Sequence, residues 1–418
     1  MIEIATLSHL LFSFSLYYPL FMAYLWIVGA LVYYFRWEKN QPMLPEMDLS
    51  SLPPVSLLVP CHNEGENARE TIEYLLKQNY QHFEIIAIND ASSDNTGEIL
   101  NTLAAKHPCL RVIHFEENQG KAAALNIGAI ASKNEFLICI DGDALLDFNA
   151  VNWIMSHFIN GPRVGAVTGN PRIRTRSSLL GKIQVGEFSA IIGLIKRAQR
   201  VYGRVFTVSG VVAGFRKSAL HRVGYWSTDM VTDDIDISWK LQLDHWDIRF
   251  EPQALCWILM PETYTGLLKQ RTRWAQGGIE VLLKYFKHTG IWKSRRMWMI
   301  YLEFLTSVFW SFSIVITVIL WGLGFIIELP EAIEVPALLP SWGGVLLGIT
   351  CLIQFAVSLS IEHRYEKSSW KYFFWIIWFP IIYWVVNVIA IIRGFPRALL
   401  RKKGVKATWV SPDRGLRE

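Results

Sequence analysis

Cysteine is scarce and scattered. Cys61, Cys109, Cys139, Cys256 and Cys351 are the only five in 418 residues, and no two form a CxxC pair. That excludes a zinc knuckle and a disulfide framework, and leaves reduced packing residues in a cytosolic or membrane setting. Charge is thin too: 18% of residues are charged and the net is +5. So small an excess suits a protein at the inner leaflet of a membrane better than a nucleic-acid binder. No Lys or Arg precedes Arg36, and no small-residue cleavage site follows the apolar run from His9 to Phe35. A cleavable signal peptide is thereby excluded, and a membrane span remains.

What the chain has in excess is apolar surface: 52% hydrophobic residues, 18 tryptophans and a mean hydropathy of +0.25. That is too apolar for an ordinary soluble enzyme and too charged for a bare helical bundle, so a soluble domain joined to transmembrane helices is expected. Arg36 and Lys39 follow the first span, so the positive-inside bias puts residue 40 onward in the cytoplasm. The expected organisation is a first helix over 1–40, a linker over 41–54 and a soluble domain over 55–260. Amphipathic interface helices follow over 261–297, then membrane segments over 298–393 and a basic tail over 394–418. Within the membrane region, apolar runs cover about 298–327, 342–361 and 370–392. Four full spans would put the basic tail "RGFPRALLRKKGVK" outside, whereas its charge argues for inside. Pro380, midway along the last run, is a reason for that run to break or re-enter.

Residues 55–258 alternate between two periods. "VSLLVP", "FEIIAI", "RVIHF" and "FLICI" read as strands; "ARETIEYLLKQ" and "KAAALNIGAIA" read as helices, and Asn95 with Glu98 resembles a capping box. Strands separated by helices of this length predict an α/β, doubly wound, mostly parallel sheet. Ligands on such sheets bind beyond the carboxyl ends of the strands, where the polar residues collect. Asn63 and Glu64 follow the first strand, Asp90 the second, and Asp141-Gly142-Asp143 the fourth.

Asp-x-Asp at a strand end suits a hard divalent cation shared with a diphosphate, and Gly142 lets backbone approach a ligand. The bland alternative is a turn with solvated carboxylates. Asp90 is placed to hydrogen-bond a base or ribose and Lys121 to face phosphate. "NQGKAAAL" is no Walker loop, since no Gly stands five residues before its Gly-Lys and Ala122 replaces Ser/Thr. Further on, "MVTDDIDISWKLQ" brings Asp233, Asp234 and Asp236 to a helix start, where they could equally serve as caps. "LLKQRTRWAQGG" puts Gln270, Arg273 and Trp274 within about one turn. Guanidinium grips phosphate and indole stacks on a sugar or base; a basic helix lying on anionic lipid is the other reading.

"PCHNE", "NDASSD", "DGD", "TDDID" and "QRTRW" occur in the order and spacing of processive family-2 glycosyltransferases, which include cellulose, chitin and hyaluronan synthases. "AVTGNPRIRTRS", "GKIQVGEFSAIIGLIKR", "VFTVSGV", "ALCWILMPET" and "WVSPDRG" resemble the bacterial poly-β-1,6-N-acetyl-D-glucosamine synthases most. The resemblance implies a GT-A fold in a multi-pass protein of the bacterial inner membrane. It also implies UDP-N-acetylglucosamine (UDP-GlcNAc) as donor, Mg2+ or Mn2+ as metal, a growing polysaccharide as product and a small membrane partner subunit. By motif register, Asp90 matches the uridine-binding aspartate, Asp143 the metal ligand and Asp234 the general base. Gln270, Arg273 and Trp274 match the residues that hold diphosphate and acceptor. Asp233 stands where the family usually has Glu, so it is the alternative base.

Overall fold

"VSLLVPC" lacks polar alternation because both of its faces are covered: all 7 residues of β1 (Val55–Cys61) are buried, as in the centre of a parallel sheet. The computed structural model describes residues 7–42, 52–335, 337–338, 341–402 and 404–407; the stretch "WVSPDRG" lies outside them. After β1 come β2 (Phe83–Asn89), β3 (Leu110–His114), β4 (Phe136–Ile140) and the short β5 (Leu145–Leu146). The sheet is completed by β6 (Val164–Ile173), β7 (Val212–Arg216) and β8 (Asp247–Ile258). The order is β3-β2-β1-β4-β7-β6-β8-β5. β1 pairs in parallel with β2 and β4, β2 with β3, and β6 with β8. β7 runs antiparallel between β4 and β6, and β5 antiparallel to β8. The sheet is thus mixed, with parallel pairing dominant at the β3-β2-β1-β4 end.

Helices cover both faces. α1 (Leu7–Tyr33) precedes the sheet; α2 (Glu66–Leu75), α3 (Thr96–Lys106), α4 (Lys121–Ala131) and α5 (Ala150–Ile159) lie between the early strands. Val55, Leu57 and Val59 pack with Ile72 of α2, Ile99 of α3 and Ile154 of α5. Leu58, Ile86 and Ile88 turn to the other face, with Ala124 and Leu125 of α4. This period of two fixes which loops emerge together at the carboxyl edge, and each fully buried Leu or Ile contributes roughly 1.5–3 kcal/mol.

The capping box does not form: Asn95 makes no side-chain cap. Asp94 takes the Thr96 N–H instead, at 3.0 Å. The Thr96 hydroxyl oxygen in turn accepts from the N–H groups of Glu64 and Gly65 at 2.9 and 2.8 Å. The helix start is thus given over to holding the loop after β1.

The later helices are α6 (Leu179–Glu187), α7 (Ile195–Tyr202), α8 (Lys217–Val223), α9 (Asp233–Leu243) and α10 (Tyr264–Tyr285). They are followed by α11 (Trp298–Leu323), α12 (Ser341–Glu362), α13 (Phe373–Ile376) and α14 (Val385–Leu400). Among the described residues, four helices are long and apolar enough to cross a membrane: Leu7–Glu38, Trp292–Leu323, Trp342–Glu362 and Ile382–Leu400. Pro19 does not break the first. It cannot donate to the Ser15 carbonyl, and the Trp310 indole N–H of α11 does so in its place at 3.0 Å.

The run expected at 370–392 is not one helix. α13 stops at Ile376 and a π-helical turn begins at Pro380, where the missing N–H costs nothing. α14 then continues to Leu400, past the boundary at 393 drawn from the sequence. Gly394 permits this, because a Cβ there would lie 2.8 Å from the Gln276 nitrogen of α10. Both ends of the segment are tied to the α/β domain. Glu366 pairs with Arg172 at 2.6 Å, Arg401 pairs with Glu280 at 2.8 Å, and Ala407 N donates to Thr228 O at 2.9 Å. The two ends of the segment are thereby fixed to β6 and α10, and Ala407 beyond it bonds to the loop before α9.

A buried lattice of charge joins the helices to the sheet. Arg197 of α7 grips Glu38 with two bonds of 2.7 and 2.8 Å and also pairs with Glu362. Arg172 of β6 bridges Glu362 and Glu366, and Arg176 adds a second bond to Glu366. Three guanidinium groups meet three carboxylates, so the buried set carries no net charge.

Candidate active site

The loops after β1, β2 and β4 converge. Asp90 N donates to Cys61 O at 2.9 Å, and His62 Nδ1 lies 2.7 Å from Asp90 O. A carbonyl only accepts, so Nδ1 of His62 carries the proton and Nε2 accepts from the Asn63 and Asn118 amides at 3.3 and 3.2 Å. Asn63 at φ 54° and Ala91 at φ 50° both adopt the left-handed region. Two such non-glycine residues on adjacent loops mark a strained, over-determined edge. The Asn63 carbonyl oxygen accepts from Ser93 N at 2.8 Å. Glu64 is buried, its stem packed where a Gly142 Cβ would sit.

Asp90 is fully buried, and its two oxygens accept from Gln119 N and Gly120 N at 2.7 and 2.8 Å. In this state it shapes the pocket by holding the loop before α4. Each oxygen keeps acceptor capacity for a base or ribose, but with Asp90 fully buried direct contact requires the loop before α4 to shift. The last described residues of the chain cover the same loop: Lys406 Nζ reaches Gln119 Oε1 at 2.6 Å.

Lys121, at the first turn of α4, pairs with Asp141 and donates to Gly210 O at 2.9 Å. Burial alone would lower its pKa, yet Asp141, Asp233 and Asp234 together hold it above its ordinary value. The lysine read as facing phosphate is the cation at the centre of three carboxylates. Gly142 also differs from expectation. A Cβ there would lie 3.0 Å from Cys61 Sγ and Glu64 Cγ, so the absent side chain serves packing of the two loops. Asp143 is half-buried beside it. Among the described residues, no three His, Cys, Asp or Glu side chains group as a metal cage. Hard carboxylate oxygens at one strand end fit a magnesium-like ion that takes its remaining ligands from diphosphate and water.

The three acids at the start of α9 have separate fates. Asp233 Oδ1 accepts from Asp234 N at 3.0 Å, and Asp234 Oδ1 from Ile235 N at 2.9 Å. Asp236 is fully buried and bound by Lys284 at 2.6 Å and Tyr285 at 2.8 Å, so it fastens α9 to α10. Asp234 is only partly buried. Desolvation and the neighbouring Asp233 still push its pKa up to about 6, against the pull of Lys121 and Arg273. Gly277 lets α10 approach, since a Cβ there would strike Thr232 Oγ1 at 2.2 Å.

On α10, Arg273 is exposed and close enough to act on the charge of Asp234. Trp274 keeps 36% of its surface exposed. Gln270 Oε1 accepts from Arg271 Nη1 at 3.1 Å, and its amide lies 3.9 Å from Met260 Sδ. The electrostatic links Lys121–Asp141–Asp233–Asp234–Arg273 gather residues from β4, α4, α9 and α10 into one cluster.

Two groups escaped the sequence reading. Lys196 of α7 is buried and donates to Thr168 Oγ1 at 2.9 Å. Burial draws its pKa down to about 7 while Asp234 opposes the fall. In "IIGLIKRAQR" it reads as one more interface cation, and nothing local marks it. Arg271 is the other, overlooked between two motif residues.

The model of "Glycosyl transferase family 2" matches residues 56–224. A poly-beta-1,6-N-acetyl-D-glucosamine synthase of Staphylococcus epidermidis is 43% identical over 411 residues, covering 97% of this chain and 98% of that protein. The chain belongs to glycosyltransferase family 2. A synthase of the same name from Staphylococcus aureus strain COL is 41% identical over 408 residues, with 97% and 98% covered. A mannosyltransferase from Pyrobaculum calidifontis, solved in complex with GDP-Man and Mn2+, aligns with a TM-score of 0.55 at 19% identity. The alignment covers 93% of this glycosyltransferase and 99% of that chain, and the shared fold is GT-A. Activity as a sugar transferase thus rests on family membership.

Proposed function

We propose that the enzyme polymerises N-acetylglucosamine from UDP-GlcNAc into poly-β-1,6-N-acetyl-D-glucosamine, an exopolysaccharide of biofilms, by inverting, processive transfer. The names of the relatives support the donor and the linkage. The observation that carries the mechanism is Asp234, a partly exposed carboxylate with a raised pKa beside the exposed Arg273.

In this reading the acceptor sugar stacks on Trp274, and Asp234 takes the proton of its hydroxyl as that oxygen attacks the anomeric carbon. The carbon–oxygen bond to UDP breaks on the opposite face, so an α-linked donor gives a β-linked product. Arg273 stabilises charge growing on the departing diphosphate, and Gln270 borders it. Asn63, Glu64 and the loop held by Asp90 form the nucleoside side, and Lys121 keeps Asp141 in place. Asp143, with Asp141 near it, would hold Mg2+ or Mn2+, which supplies charge neutralisation for the diphosphate.

The catalytic domain lies on the cytoplasmic side of a bacterial inner membrane in this proposal, where nucleotide sugars are made. Apolar helices packed on the domain then flank the product's way out, with a small membrane subunit completing the exit. The site residues are tested by comparing Asp234→Asn with Asp233→Asn. Asp234→Asn keeps UDP-GlcNAc binding and loses transfer by about 10²–10⁴-fold. An active Asp234→Asn beside a dead Asp233→Asn would move the base to Asp233.

A further inference from the structure

Arg271 lies between Gln270 and Trp274 in sequence and behind both in space. It is 4% exposed, and Glu187 of α6, 2% exposed, neutralises it through a 2.6 Å bond. Its guanidinium carbon sits 4.1 Å from the centroid of the Trp274 ring. The same group donates to Gln270 Oε1 at 3.1 Å. The ring centroid of Tyr383, in the π-helical turn that begins at Pro380, lies 5.9 Å from the Arg271 guanidinium carbon.

A buried ion pair is weak evidence for stability, since desolvation offsets its attraction. This pair does something an apolar pair of the same size cannot. The planar cation lies against the indole and, through a second nitrogen, fixes an amide one turn earlier. Trp274 meanwhile remains 36% exposed for a further ring to stack upon.

We propose that Arg271, held by Glu187, is a positioning residue that locks Trp274 and Gln270 into one rigid platform for the acceptor sugar. This rests on the reading of Trp274 as the acceptor's stacking surface. Arg273 then handles the donor's charge, and the two arginines of "QRTRW" divide the work. Holding the acceptor in line lowers its effective dissociation and aligns its hydroxyl.

The test uses the full chain in detergent or nanodiscs, a short N-acetylglucosamine oligosaccharide as acceptor, and UDP release as the rate. Arg271→Met/Glu187→Leu removes both charges together, which spares the fold an unpaired ion. Arg271→Lys keeps the charge and loses the plane, and it carries the test if the double variant does not fold. Both are expected to raise the acceptor KM roughly tenfold while the donor KM stays within about twofold. A purely structural role would instead lower kcat with both KM values unmoved, and that result overturns the proposal. Trp274→Ala is measured alongside. If it raises the acceptor KM and the Arg271 variants do not, the positioning role fails and the stacking role stands. If Trp274→Ala leaves acceptor KM unchanged, the platform itself is wrong and the proposal falls with it.

Discussion

At the scale of single residues, burial and a like-charged neighbour tune one carboxylate for base work. Asp234 and Asp233 are adjacent like charges, and with desolvation this raises Asp234 to about 6. A base acts only when deprotonated, so kcat/KM should be full above pH 7 and fall tenfold per pH unit once well below about 6. The stability sign is opposite to that of a paired carboxylate. Because the folded value lies above the unfolded one, Asp234 favours folding at low pH, and that contribution is lost as pH rises through about 6. Asp234→Asn is therefore expected to leave the ligand-free protein as stable as wild type, or more stable by ~1 kcal/mol, at pH 8. Thermal unfolding at pH 5 and pH 8 checks this; a large loss at pH 8 would mean the carboxylate is stabilising. Asp143→Asn should preserve folding and weaken metal-dependent UDP binding, read by titrating Mn2+ against bound nucleotide. Unchanged metal dependence would remove Asp143 from that role.

At the scale of elements, the strands and crossovers were legible because their pattern is local. "FLICI" and "KAAALNIGAIA" coincide with β4 and α4. What the sequence hid depends on partners far along the chain. Asp90 spends its oxygens on Gln119 and Gly120, Asp236 on Lys284 and Tyr285, and Arg271 on Glu187. No spacing rule links such pairs. The capping box failed for a related reason: Asp94, one residue earlier than Asn95, takes the Thr96 N–H, and the Thr96 hydroxyl holds the loop after β1. The Glu38–Arg197–Glu362–Arg172–Glu366 lattice was equally invisible, yet it is the main polar joint between α1, α12 and the sheet. Arg197→Met leaves Glu38 and Glu362 buried with less compensation, and it should destabilise the protein by about 3–5 kcal/mol. The measurement is the midpoint of thermal unfolding in detergent. A shift too small to resolve would mean that water or rearrangement replaces the guanidinium.

At the scale of the whole molecule, the last apolar run is interrupted before Pro380 and the chain after it contacts the soluble part of the protein. Arg401 pairs with α10, and Lys406 and Ala407 bond to the α/β domain, so these three residues are expected on the same side of the membrane as the site. Val405→Cys, with the native cysteines replaced by Ser or Ala, should react with a membrane-impermeant maleimide only in inside-out vesicles. Labelling in right-side-out vesicles would require the last segment to cross. The same arrangement packs α10, α14 and the turn after Pro380 against one another. The central claim is that this chain extends a polymer from UDP-GlcNAc. Its most direct test incubates the full chain, reconstituted in membranes, with a panel of UDP-sugars, and follows UDP release together with product size and linkage. The account predicts UDP release with UDP-GlcNAc in proportion to a long, β-1,6-linked N-acetylglucosamine chain. A single sugar added to a lipid, or a preference for another donor, would contradict it.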